Sequence, residues 1–226
     1  ARFCVREPPL GVFCDGNVIG PDDGVVRRSL WDVFGTGAIA SAGPTEFLVR
    51  SLARPAVPGC TLTVAAAARA LALPFPEALR DSTLDMRADG WVLALCAVAG
   101  RVQGVPEPLM SYRVHAAQQI GLGGLGWAGR RRRAARILRG EPVVGNDLSR
   151  RIGAASLVLH RAGERLDAPL HSDALEALEQ MLAHLERRRS LPRERAARVG
   201  TIATELIRGR YGRYSSGAAS AAADLF

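Results

Sequence analysis

The chain has 226 residues, 48% of them hydrophobic, which is enough to bury a core as one domain or one and a half. Its longest apolar stretches, Thr61 to Leu73 and Trp91 to Ala99, fall short of the ~20 residues a bilayer span needs, and no signal-peptide core is visible, so a cytoplasmic protein is expected. Net charge is +8, with Arg the sole source of basic side chains, and the four cysteines, Cys4, Cys14, Cys60 and Cys96, form no C-x-x-C pair, which argues against a zinc site or a disulfide framework.

Gly11 to Cys14 reads as extended, Pro21-Asp22-Asp23-Gly24 as a turn and Val25-Val26 as the strand resumed, so Asp22 and Asp23 are turn residues first. Residues 35 to 58, rich in Gly, Ala, Ser and Pro, read as a loop around a helical piece from Glu46 to Leu52. Cys60 to Val64 is expected to be a short buried strand. Ala65 to Ala72 is expected to be a helix that stops at Leu73, because the residue before Pro74 is driven out of helical geometry. Residues 75 to 88 read as an irregular approach in which Asp81 and Asp85 are solvated loop carboxylates.

Trp91, Val92, Leu95 and Cys96 recur at helical spacing as far as Gly100, which places Asp89 at or just before the first turn. Two jobs are open to a carboxylate there. It can cap, accepting hydrogen bonds from first-turn amides with the helix dipole in its favour. It can also act as a general base, taking a proton from a substrate hydroxyl where the site is open to one. Gly100 to His115 then reads as extended, kept off sheet centres by Pro106 and Pro108. Met110, Tyr112 and Val114 alternate with Ser111, Arg113 and His115, so Arg113 and His115 share a face; on spacing alone His115 is a surface or hydrogen-bonded histidine.

Gly121 to Gly126 formally matches G-x-G-x-x-G, yet a polyarginine segment follows and Glu141 precedes Pro142 with no strand before it, so the stretch reads as a hinge. Arg130 to Arg133, with Arg136 and Arg139, lie on a short predicted helix that also carries Trp127, Ile137 and Leu138. A solvated face is the first reading of that helix, followed by peripheral contact with an anionic membrane or binding of phosphates. Nucleic acid ranks below these, since aromatics are 5% of the chain and no nucleic-acid motif occurs. The last third is helical, with stripes at Leu148, Ile152, Ala155 and Leu159, at Leu175, Leu178, Leu182 and Leu185, and at Val199, Ile202, Ala203 and Leu206. Arg187 to Arg189 close the second of these helices where its dipole welcomes cations, and His160, His171 and His184 pair with no other ligand type at metal spacing.

Taken in order, Gly59-Cys60-Thr61, Leu73-Pro74-Phe75-Pro76, Asp89-Gly90-Trp91, Pro106-Glu107-Pro108-Leu109, Tyr112-Arg113-Val114-His115 and Gln119-Ile120-Gly121 resemble the second half of bacterial family 2 glycosyltransferases, particularly rhamnosyltransferase-like members. Val12 to Gly16 with Asp22-Asp23-Gly24 resembles the strand and hairpin that precede the acceptor side in those enzymes, and the closing segment from Gly209 is similar to theirs.

The resemblance implies an α/β fold: a partial GT-A-type mixed sheet over residues 1 to 121, the acceptor-side half, then a basic linker and α-helical C-terminal tail over 122 to 226. It implies an inverting transfer of a sugar from a nucleotide-sugar donor to a glycan acceptor hydroxyl, of the surface-polysaccharide type, with Asp89 as base. Trp91, Arg113, Gly59, Cys60 and Thr61 would then contact substrate, and His115 would lie near the donor phosphates and a divalent metal, Mg or Mn. A nucleotide-binding half carrying an Asp-x-Asp triplet would be expected upstream, and no such triplet occurs in this chain. The chain alone is therefore expected not to turn over a nucleotide sugar, and a non-catalytic glycan-binding or scaffold remnant is the alternative.

Overall fold

The computed structural model describes residues 8–53, 57–80, 84, 86–114, 148–165 and 171–225. It is a mixed α/β structure built on β1 (Gly11–Ile19), whose Phe13, Val18 and Ile19 enter the core. On one side, the first half of β1 pairs antiparallel with β3 (Leu62–Val64) and its end with β2 (Val25–Arg27); on the other, β4 (Val102–Arg113) runs parallel to it from Gly11↔Val102 to Ile19↔Arg113. β4 is an edge strand among the described residues, and its register with β1 shifts around Asp15, which lies opposite Pro108. A proline has no amide to give a ladder, so the breaks fall where the pairing is poorest. Gly16 permits the close approach: a Cβ there would meet Met110 Cγ at 2.9 Å.

The Pro21-Asp22-Asp23-Gly24 turn forms as read, closed by the Gly20 amide donating to the Gly24 carbonyl at 2.8 Å. α1 (Leu30–Phe34) follows, capped by Ser29, whose hydroxyl accepts from the Asp32 amide, and ended by Gly35 in the left-handed region at φ 75°. α2 (Pro44–Ala53) buries Phe47, Leu48, Val49 and Leu52, and α3 (Ala66–Ala72) stops before Leu73-Pro74 as expected. The stretch from Cys60 departs from its reading. Gly59–Thr61 is a single 3-10 turn, and β3 behind it is short and largely exposed, because it pairs only along its inner edge. A short α4 (Glu77–Arg80) precedes α5 (Ala88–Ala99), which runs buried from Trp91 through Val98 apart from Val92, a partly buried residue packed on the same core.

The C-terminal helices are no appended tail. α6 (Leu148–Arg165) and α7 (Ser172–Arg189) put Ile152, Ala155, Val158, Leu178, Met181 and Leu185 into the same core as Phe13, Phe47 and Trp91. The apolar stripes on these helices therefore face the sheet-bearing half, and a boundary near residue 121 divides no core. α8 (Arg195–Ile207), α9 (Arg210–Tyr214) and α10 (Ala218–Leu225) close a smaller cluster of Ile202, Tyr211 and Ala221 beside it. Among the described residues no helix is long and apolar enough to cross a membrane.

Candidate functional site

A cavity of about 240 Å³ opens where five elements meet: the end of α1, α2, the Gly59–Thr61 turn, the first turns of α5 and the end of β4. Phe34, Tyr112 and Leu93 give it apolar walls, and Cys60, Arg87 and Asp89 give it polar ones. Phe34 and Tyr112 meet edge to face with centroids 6.4 Å apart, an arrangement that holds both rings in place. The volume lies below the ~300 Å³ at which drug-sized pockets begin, so it suits one compact polar group such as a single sugar ring.

Asp89 is in the first turn of α5, and its side chain is 18% exposed. Gly90 donates its amide to Oδ1 at 2.8 Å, and Gly59, across the cavity floor, donates its amide to Oδ2 at 3.1 Å. The Arg87 guanidinium lies 3.6 Å from Oδ2. A carboxylate oxygen can accept about two hydrogen bonds, so Asp89, which lines the cavity with one amide on each oxygen and Arg87 beside Oδ2, keeps acceptor capacity. The two readings of Asp89 are therefore compatible, since its bonds to backbone are what aim it. The Gly59 approach is close as well: a Cβ at that position would lie 3.1 Å from Asp89 Cβ and 3.2 Å from Oδ2.

The other expected site residues separate. Gly59 and Cys60 line the cavity with Asp89. The Cys60 thiol, partly desolvated against the wall, is raised above its ordinary range, with Cys14 and Asp89 adding to the rise against an opposing backbone hydrogen bond; it is a thiol at neutral pH and a poor nucleophile. Thr61 is only 5% exposed and donates its hydroxyl to the Pro58 carbonyl at 2.8 Å, which makes it a support of the turn rather than a wall of the cavity. Trp91 is a correction. It is 0% exposed, donates Nε1–H to the Ala72 carbonyl at 3.0 Å and lies under the Arg161 guanidinium at 5.4 Å, so its ring is core and no ligand in the cavity reaches it.

Arg113 is likewise turned elsewhere: it donates to the Gly20 and Pro21 carbonyls at 3.1 and 3.3 Å and pairs with Asp23, latching the end of β4 to the β1–β2 turn. Its neighbour Tyr112 is the residue of that motif on the cavity wall. His115, the Gly121–Gly126 stretch, Asp81, Asp85 and the Arg130–Arg139 segment lie outside the described residues. Phe34, Leu93 and Arg87 are cavity residues that the sequence did not announce. Arg87 alone left a trace, two positions before an acid at a helix start.

Asp15 shows what a purely structural carboxylate looks like here. It is 6% exposed, and its oxygens accept from the Gly16, Leu30 and Trp31 amides at 2.7–2.9 Å and from the Ser29 hydroxyl at 2.7 Å, which binds β1 to the start of α1. As to a metal, no group of three or more His, Cys, Asp and Glu among the described residues could hold one. His115, which the resemblance places near a divalent ion, lies outside the described residues.

A second polar cluster joins α7 to α10. His184, 0% exposed, has Nδ1 2.7 Å from Glu205 Oε2 and Nε2 3.1 Å from Ser215 Oγ. Arg188 donates to that same Oγ at 2.9 Å and to both Asp224 oxygens, while Arg187 and Arg210 donate to Glu205 Oε1. The network assigns one proton order, Arg188 to Ser215 to His184 to Glu205.

The distances are those of a serine–histidine–acid relay, but the chemistry is not. The Ser215 and Gly217 amides donate to the Tyr211 carbonyl and the Ser216 amide to Ser220 Oγ, which leaves this turn no pair of donors for an oxyanion. Burial lowers His184, and Arg188 adds to this against the pull of Glu205 and Asp224, so the imidazole is neutral. Burial would raise Glu205, but the His184 and Arg210 hydrogen bonds and charges overcome it and hold the carboxyl below its ordinary range. Tyr211, buried and donating to Asp224, is raised. The cluster is a clamp between helices.

Compared with known protein families, curated proteins and solved structures, the chain gives no match.

Proposed function

We propose that this chain carries the acceptor side of an inverting glycosyltransferase of GT-A type, with Asp89 as general base. The reading is supported by convergence: three of the separated stretches that carry the family resemblance, Gly59-Cys60, Asp89-Gly90 and Tyr112, line one cavity. A sugar acceptor would place its apolar ring face against Phe34 and Tyr112 and its reacting hydroxyl at Asp89. That hydroxyl gives its proton to Asp89 while its oxygen bonds to the anomeric carbon of the donor. The bond from that carbon to the diphosphate oxygen breaks with its electron pair, so the configuration inverts. Arg87, beside the carboxylate and mostly exposed, orients the acceptor's other polar groups.

The test is steady-state transfer by the full-length gene product, with nucleotide-sugar donors and glycan acceptors. Asp89→Asn should lower kcat by about 10²–10⁴-fold. The amide keeps one acceptor oxygen for one of the two backbone donors, so the stability loss should be only about 1 kcal/mol. Full activity in a folded Asp89→Asn protein removes Asp89 as base. Saturable glycan binding with no transfer at all would instead favour a glycan-binding module.

A further inference from the structure

α8 is held to the molecule by one face. Ile202 and Glu205 are buried on it, and the Arg198 guanidinium ties it down by donating to the Pro192, Arg193 and Asp224 carbonyls at 2.7, 3.0 and 3.0 Å. At 3.6 residues per turn, the outward arc carries Ala196, Val199, Gly200, Ala203, Leu206 and Ile207. Val199, Leu206 and Ile207 are 52, 43 and 87% exposed. The only charged residues between Arg195 and Arg208 are Arg198 and Glu205, both turned inward. Single exposed aliphatic residues are ordinary, but a charge-free apolar arc along three turns of an anchored helix is an interaction surface.

Charge decides what covers it. From Arg187 to Arg213 the chain holds nine arginines and two glutamates, and Arg193, Arg195 and Arg208, at and beside the two ends of α8, are exposed. A second copy would bring this basic rim against itself, which costs several kcal/mol in like-charge contact. An anionic bilayer suits both parts, taking aliphatic side chains at the boundary of headgroup and acyl chain while guanidiniums hold phosphate oxygens in pairs. We propose that α8 seats the protein on anionic phospholipid, with Val199, Leu206 and Ile207 entering the headgroup boundary and the surrounding arginines binding lipid phosphate. This surface is independent of the Asp89 cavity and of any reaction there.

The test is flotation of the chain with phosphatidylcholine vesicles, with and without phosphatidylglycerol. The wild type should bind only the anionic vesicles and less tightly as salt is raised, because screening shortens the reach of exposed charge. The double variant Leu206→Ser/Ile207→Ser should bind about tenfold or more weakly, yet melt as the wild type does, since both side chains are exposed. Replacing Arg130 to Arg133 with Gln separates the two basic regions. The proposal is overturned if wild type ignores anionic vesicles or if the double variant binds like wild type, and loss of binding in the Arg130–Arg133 variant alone would then assign the contact to that segment. A dimer seen by ultracentrifugation without lipid, and abolished by the double variant, would assign the arc to a second copy instead.

Discussion

At the cavity, Asp89 accepts from two backbone amides and leaves 18% of its side chain exposed; in the helical clamp, Glu205 accepts from His184, Arg187 and Arg210 and leaves 3%. The cavity carboxylate is fixed by its two amides, keeps acceptor capacity and lines open space. The clamp carboxylate holds three side-chain donors and has almost no surface through which a substrate could reach it, and a proton arriving there would find a network already ordered. A catalytic base needs fixed geometry with acceptor capacity that a substrate can reach, whereas a structural acid is enclosed by the groups it binds. The contrast also explains why the more relay-like arrangement, Ser215–His184–Glu205, is the poorer candidate for chemistry.

The largest effect expected in the clamp follows from breaking its bidentate ion pair. Arg188 is 4% exposed and bidentate on Asp224, so Arg188→Met leaves a nearly buried carboxylate with Tyr211 as its remaining side-chain donor. A loss of about 3–5 kcal/mol is expected in chemical denaturation, with glycan binding at the cavity unchanged at temperatures where the variant is folded. A change of binding alongside an unchanged midpoint would place the clamp in the site.

Acidification should act on the same cluster in two stages. The folded His184 lies below its ordinary value of about 6.5, so in that window the unfolded chain binds more protons than the fold, and stability falls as pH drops below about 6.5. Glu205 is held below its ordinary range, so its contribution is present above about 4.5 and is lost as pH falls through the lowered value. Thermal melts from pH 8 to 4 should show the first loss, melts carried on to about pH 2 the second, and His184→Gln should remove the first. A melting temperature that rises on acidification between pH 7 and 5 contradicts the assigned neutral imidazole.

A smaller effect sharpens the cavity side. Gly59→Ala puts a methyl 3.1 Å from Asp89 Cβ and pushes the carboxylate off its amide. We expect about 1–3 kcal/mol of lost stability, with kcat falling more than KM rises.

Much of this architecture was legible in the residues. The Pro-Asp-Asp-Gly turn, the stop at Leu73-Pro74 and the start of α5 at Asp89 are local consequences of backbone sterics and hydrogen-bonding side chains, and they fell where expected. The parallel pairing of β1 with β4 is non-local, joining Gly11 to Val102, and nothing short-range encodes it. Trp91 was misread because a tryptophan beside an acid looks the same in sequence whether its ring faces a ligand or the core; here the Ala72 carbonyl and Arg161 settle it inward.

Arg188 was hidden among three consecutive arginines that read as solvent and dipole partners. A trace existed: Ala177, Met181, His184 and Arg188 continue one buried stripe of α7 at helical spacing, so polar residues on an apolar stripe announced an internal network. Its partners Glu205, Ser215 and Asp224 come from three further segments, and the stripe alone could not name them.

The most direct measurement sets the two carboxylates against each other: transfer activity per folded molecule, and melting temperature, for Asp89→Asn and Glu205→Gln in the full-length gene product. Asp89→Asn should lose about 10²–10⁴-fold in kcat with a near-wild-type melting temperature, while Glu205→Gln should melt lower and keep its activity per folded molecule. The reverse, an active Asp89→Asn and an inactive, wild-type-stable Glu205→Gln, would move the chemistry to the helical cluster and contradict the assignment of the cavity as the site.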